Sequence, residues 1–320
     1  MDDTLTTAPA GGATFLNTAL ATDLTDLEAD IAVLGLPYGV PYGMAGVAGP
    51  CSVAPAALRA QSLKFGYGRF IEHYDFDHDG PLLGGRDVRI VDCGDAVADP
   101  LDIPGNSARA TAATRQILAS GAVPIMLGGD DSVPIPFFRG FEGHGPVTLV
   151  QVDAHLDFRD ELDGVREGFS SPIRRASEMP WINSIVQVGL RGVGSARPSD
   201  VQDARDNGNL LVTAGEVRRD GVGALLSRIP SEYPYLITID LDGLDPSVAP
   251  GVSGPAPGGL SYDELADLLT GLAAQGRVVG LDIVEYAPEL DVNGHTALVA
   301  TRLILTLIGA LARSGQLGRA

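Results

Sequence analysis

The sequence predicts an α/β domain built on a mainly parallel sheet, and three observations carry that expectation. Eight short apolar, β-branched runs recur: IAVLGL (31–36), VRIVD (88–92), VPIML (123–127), VTLVQV (147–152), SIVQVGL (184–190), LLVT (210–213), YLITI (235–239) and VVGLDI (278–283). Several are apolar on both faces, as strands must be when helices cover the sheet on both sides. Helical patterns lie between them, which is the alternation of parallel strands with crossover helices.

The elements follow in order. MDDTLTTAPAGG, at the start, is acidic and lacks the apolar segment of a signal peptide, so residues 1–29 read as an N-terminal extension. Residues 30–320 read as one domain, because no repeat and no Ser- or Pro-rich linker divides them. Residues 65–87 break the rhythm and are expected to form a long surface loop; 158–180 follow a strand end and are expected to form a lid or specificity loop. SARATAATRQILAS (107–120) reads as a helix. SYDELADLLTGLAA (261–274) reads as another, opened by a capping box of Ser261 and Glu264. ALVATRLILTLIGALA (297–312) is too short to span a bilayer and carries Arg302, so a buried helix is expected and no membrane partner.

Composition narrows the function. Forty-one acids face 22 bases, a net charge of −19, and Lys64 is the only lysine. A nucleic-acid partner is excluded, since no basic surplus exists to neutralise phosphates. A small cationic partner fits, because a negative field steers cations inward. Two cysteines, Cys51 and Cys93, form no disulfide framework and point to a reducing, cytoplasmic setting.

Ligands of parallel sheets bind beyond the carboxyl ends of the strands, and three runs end there in carboxylates. VPIML leads into GGDDS with Asp130 and Asp131; VTLVQV leads into DAHLD with Asp153, His155 and Asp157; YLITI leads into DLDGLDP with Asp240, Asp242 and Asp245. Alternate residues of an extended chain share a face, so Asp153, His155 and Asp157 can point to one spot, as can Asp240 and Asp242. Such a collection of negative charge requires cations. Oxygen-rich ligation with a single histidine favours Mn²⁺, with Ni²⁺ as the alternative.

GGDDS, DAHLD and DLDGLDPSVAPGVSGPAPGGLS resemble the three signature motifs of the ureohydrolase superfamily of arginases and agmatinases, and the long third motif with VEYAP resembles the agmatinase branch. The resemblance spans about residues 30–315. It implies an arginase-type three-layer α/β/α fold with an eight-stranded, mainly parallel sheet, and a catalytic domain over 30–320. It implies two Mn²⁺ per chain held by Asp131, Asp153, His155, Asp157, Asp240 and Asp242, with Asp153 and Asp240 touching both ions. Glu285 matches the residue that receives the guanidinium, and Asp157 matches the proton relay in a metal-assisted hydrolysis that releases urea and an amine. A homotrimer or homohexamer is also implied.

Two departures from the motifs stand out. Asp131 replaces the usual histidine ligand, exchanging nitrogen for oxygen and adding a negative charge. Phe169, in EGFSSPIRRA, stands where the agmatinase pattern places a lid histidine, so a substrate-binding position becomes apolar. An agmatinase-like hydrolase of linear guanidino compounds is therefore expected. The alternatives are a different guanidine (a guanidino acid, an alkylguanidine or a biguanide) and a diverged, non-catalytic subunit of a hetero-oligomer.

Overall fold

A computed structural model describes residues 4–40, 42, 50–66, 71, 73–194 and 196–319. Each of the eight apolar runs forms one strand: β1 (Ile31–Gly35), β2 (Ile90–Ala96), β3 (Val123–Leu127), β4 (Val147–Val152), β5 (Ile182–Leu190), β6 (Leu210–Thr213), β7 (Tyr235–Asp240) and β8 (Val278–Val284). They pair in parallel in the order 2-1-3-8-7-4-5-6.

The sheet has ten strands rather than the expected eight. Thr6–Thr7 pairs antiparallel with β2, and Ala19–Leu20 pairs parallel with it. Each addition is two residues long, too short to leave a period in the sequence. Together they satisfy an edge of β2 that would otherwise present unpaired backbone groups. Phe15, between them, is fully buried.

Helices α1 (Ala54–Gly66), α2 (Ile103–Ala119), α3 (Pro134–Gly140), α4 (Pro172–Ser177), α5 (Pro198–Asp206), α6 (Ala214–Asp220), α7 (Val222–Leu226), α8 (Tyr262–Gln275) and α9 (His295–Arg313) cover the two faces. Alternation along the strands divides the apolar side chains into two cores. Ile237, Ile239, Val150 and Val152 pack with Leu58 of α1, Leu268 of α8 and Leu303 of α9. Leu236 and Leu149 pack on the other side with Ile117 of α2 and Phe137 of α3. The result is three layers.

The Ser261–Glu264 capping box opens α8 as expected: the Ser261 hydroxyl accepts from the Glu264 N–H, and the Glu264 carboxylate accepts from the Ser261 N–H. Helix α9 is longer than its apolar run. Its length and composition would suffice to cross a membrane, yet 83% of its most apolar window is buried inside the domain. Its Arg302 pairs with Asp75 at 3.3 Å and Asp77 at 2.7 Å, tying down the 65–87 loop. That loop contains a small hairpin, Tyr74–Asp75 with Gly80–Pro81, while its residues 67–70 and 72 lie outside the described residues.

One buried ion pair joins the N-terminal segment, α1 and the sheet edge. The fully buried Arg59 donates from Nε to Asp92 at 2.8 Å, from Nη1 to Asp95, and from Nη2 to the Gly94 carbonyl at 2.8 Å. The same carboxylates accept from the Phe15 N–H at 2.6 Å and the Ala10 N–H at 3.0 Å. Arg59→Met leaves two carboxylates without their cation. Breaking a buried pair from one side costs about 3–5 kcal/mol, so the urea midpoint of this variant should fall substantially; an unchanged midpoint would contradict this role.

Candidate metal centre and substrate cavity

The strand order places β3, β8, β7 and β4 side by side at the centre of the sheet. Their carboxyl ends carry GGDDS, Glu285, the Asp240 loop and DAHLD. Four segments spread over 155 residues of sequence, from Asp131 to Glu285, thereby share one floor.

The side chains converge. Ligand atoms of Asp131, Asp153 and Asp240 lie within 4.8 Å of one another, and so do those of Asp153, His155 and Asp242. Asp153 belongs to both groups. His155 Nδ1 stands 2.9 Å from Asp242 Oδ2 and 3.5 Å from Asp153 Oδ1. Asp157 joins through Gln151, whose Nε2 donates to Asp153 Oδ2 at 2.7 Å and to Asp157 Oδ2 at 3.2 Å. Thus all six sequence-expected ligands meet at one place.

The donor set fits a pair of divalent cations on two counts. The first is charge. Burial, then the neighbouring carboxylates, push Asp131, Asp153 and Asp240 well above the usual carboxylate range. Burial likewise raises Asp157. His155 is raised to about 9, chiefly by its hydrogen bond to Asp242. Buried carboxylates packed in this way with an imidazole form an O/N donor set that cations would stabilise. The second count is an orphan: Asp131 Oδ2 is buried and has no hydrogen-bond partner. Asp131 therefore presents a bare oxygen where the motif usually presents nitrogen.

Asp130, next to it, does something else. Its Oδ2 accepts from the Val40 N–H at 2.9 Å, and its Oδ1 accepts from the N–H and hydroxyl of Ser132. It ties the loop together and belongs to neither metal-binding group. The glycines of GGDDS have a steric cause, since a Cβ on Gly129 would overlap the Tyr38 carbonyl.

Glu285 follows β8 with a buried carboxylate. Its Oε1 accepts from the Asp131 N–H at 2.8 Å, and Cys51 Sγ stands 3.5 Å from Oε2. Burial, then Asp130, raise its pKa to about 8. Asp157 and Glu285 both hold left-handed backbone, at φ 46° and 63°. Side chains other than glycine adopt that region at a cost, and such strain gathers at functional sites.

A cavity of about 420 Å³ opens above this floor. Asp131, Asp157 and Glu285 line it together with Tyr42, Arg159 and Phe169. Of the 158–180 segment, Arg159, Leu162, Phe169 and Ser170 line the cavity. Phe169 packs on Tyr42 with ring centroids 4.6 Å apart, and the Tyr42 hydroxyl meets the Ser170 hydroxyl at 2.5 Å.

Several residues at the site were not anticipated from the sequence. Gln151 and Gln187 interrupt two of the apolar runs, and that interruption was the signal. Gln187 Nε2 donates to Gln151 Oε1 at 2.6 Å, and Asn209 Nδ2 donates to Gln187 Oε1 at 2.9 Å. A chain of amides thus fixes the carboxylates of Asp153 and Asp157 from below. Cys51 and Ser253, 3.2 Å apart, carried no signal at all.

A model of the arginase family matches residues 29–309. The chain belongs to the arginase family. Its match to the mitochondrial agmatinase of Gallus gallus is 34% identical over 69% of this chain and 66% of that protein. The guanidinopropionase of Pseudomonas aeruginosa is 35% identical over 71% of this chain and 73% of that one. The solved structure of proclavaminate amidino hydrolase from Streptomyces clavuligerus superposes with a TM-score of 0.81 at 30% identity, covering 94% of this chain and 97% of that chain. The arginase-type three-layer fold is established by that superposition, and the chain stands among hydrolases of guanidino C–N bonds.

Metal removal should expose the repulsion. Unfolded carboxylates ionise near about pH 4, whereas folded Asp130 keeps its proton to about 6 and Glu285 to about 8. Between those limits the folded state binds more protons than the unfolded one, so stability falls as pH rises. His155, raised to about 9, acts in the same direction, because its contribution is lost as pH climbs through that value. The thermal midpoint of the metal-stripped protein should fall from pH 5 to 8, and added Mn²⁺ should restore it. A midpoint that climbs over that interval in chelator would refute this account.

Proposed function

We propose that this chain hydrolyses a linear guanidino compound to urea and an amine. The observation that carries the reading is the bond between Glu285 and the Asp131 backbone, which sets a guanidinium-accepting carboxylate against the metal-binding floor. Two divalent cations held by the Asp131–Asp153–Asp240 and Asp153–His155–Asp242 groups, with Mn²⁺ the expected ion, would supply Lewis acidity toward water and substrate.

The chain's own residues do the rest. Glu285 offers two oxygens to the planar N–H edge of a guanidinium, a charge-assisted geometry that also turns the carbon toward the floor. Burial raises its pKa to about 8, and an arriving guanidinium, a cation beside it, favours its ionised form. Asp157, restrained through Oδ2 by Gln151, is the group placed to take a proton from the attacking water and pass it to the departing nitrogen. Water plus a protonated guanidine balances to urea plus an ammonium. Tyr42 and Phe169, packed on each other, form part of the cavity wall. Agmatine and the guanidino acids present the same group to Glu285 and differ only in their tails.

Two variants separate the roles. In Glu285→Gln, two metals per chain should remain while KM rises by roughly 10- to 100-fold, the worth of a charged hydrogen bond; an unaltered KM would move the guanidinium elsewhere. Asp131→Ala should lose one metal and Asp153→Ala both, by elemental analysis of purified protein. Retention of two ions by Asp153→Ala would break the shared-ligand assignment.

A further inference from the structure

We propose that Arg159 recognises the substrate's tail, and that the substrate is a guanidino acid carrying a carboxylate at the end remote from its guanidinium. This rests on the hydrolytic reading above and departs from the agmatinase-like expectation.

Arg159 lines the cavity two residues beyond Asp157, with its side chain 21% exposed. Its loop is fixed, since the Arg159 N–H donates to the Ser170 carbonyl at 3.1 Å. Its nearest acid is Asp200, with Nε 3.9 Å from Oδ2, beyond hydrogen-bonding distance. Asp200 is already engaged: Arg197 donates to it from the backbone N–H at 3.0 Å, from Nε at 3.0 Å and from Nη2 at 2.9 Å. The guanidinium of Arg159 is therefore not consumed by a structural pair.

The neighbouring arginines are. Arg191 donates to the carbonyls of Gly189, Asp242, Gly243, Leu244 and Ala256, and is built into the Asp242 loop. Arg175 donates to Asp160 at 2.5 Å. Among the described residues lining the cavity, Arg159 is the one arginine or lysine.

The acidic lining is equally decisive. Asp131, Asp157, Asp240 and Asp242 belong to the metal floor, Glu285 faces the guanidinium, and Asp130 is tied to Val40 and Ser132. No other acidic side chain among the described residues lines the cavity to receive an ammonium tail. An ammonium would meet Arg159 with like charge. A carboxylate would receive two parallel N–H donors from a planar fork, which lysine cannot offer. Leu162, Tyr42 and Phe169 supply apolar wall for the methylenes between the two ends.

The test uses Mn²⁺-loaded protein and three guanidines of similar length: 4-guanidinobutyrate, butylguanidine and agmatine. Urea release gives kcat/KM, and isothermal titration gives binding without turnover. The acid should exceed the amine by about tenfold or more in both. Arg159→Lys should keep the order of preference, and Arg159→Glu should invert it toward agmatine. A native preference for agmatine, or an Arg159→Glu protein whose acid-to-amine ratio matches the native one, would overturn the proposal. Should none of the three release urea, the hydrolytic reading fails by itself, and the binding ratios still decide the role of Arg159. Elemental analysis of each variant, with two ions expected, separates tail recognition from collapse of the floor.

Discussion

Five buried carboxylates and one imidazole meet at the ends of adjacent strands, and their mutual repulsion is the constraint to which the surrounding structure responds. Carboxylates packed so closely away from water cannot all ionise without cations. The raised pKa values of Asp131, Asp153 and Asp240 express that conflict directly. The fold holds the conflict in place. Donors reach the carboxylates from every side: the His155 N–H and Gln151 on Asp153, the Ala154 N–H on Asp242, and the Asp242 N–H on Asp240. Each donor fixes a lone pair, and the oxygens left over define where positive charge belongs.

The sheet supplies the rigidity. One step below the ligands, on the same face, runs a row of polar side chains in register: Asp282, Thr238, Gln151 and Gln187 on four adjacent strands. Thr238 donates to Asp282 at 2.7 Å, and the two glutamines are bonded at 2.6 Å. A buried polar network of this kind is costly unless satisfied, and where satisfied it selects one arrangement. Asp282, fully buried with its Oδ2 lacking a partner, is pushed well above the usual carboxylate range by burial. The polar row forms a layer between apolar core and ionic floor, and it lets charge stand at the top of strands whose lower halves are mainly apolar.

Much of this was legible in the sequence, for physical reasons that differ by element. The eight strands were readable because fully covered strands must be apolar along their whole length. The carboxylate clusters after β4 and β7 were readable because a period of two after a strand end turns alternate side chains to one face. The two-residue strands at Thr6–Thr7 and Ala19–Leu20 have no period to detect, so the ten-stranded count was hidden. Cys51 meets Glu285, 234 residues away, and Ser253, 202 residues away, only through tertiary packing. Gln151 was in plain view within VTLVQV, but a single polar residue in an apolar run reads as tolerance until its neighbour across the sheet is known.

Net charge is where sequence reasoning and structure pull furthest apart. A charge of −19 invites the view that the site attracts cations at both ends of its ligand. The field that a bound molecule experiences is local, however, because exposed charges beyond about 8–10 Å are screened by salt. Within the cavity the negative charge is concentrated on the floor, where metal ions would offset most of it, and on Glu285, which a guanidinium would neutralise. With those two demands met, the one cationic side chain among the described lining residues is Arg159. The overall acidity then governs the approach of a cationic headgroup, while the residual positive charge governs which tail can follow it in. A zwitterion with its positive end leading satisfies both fields, and a dication satisfies only the first.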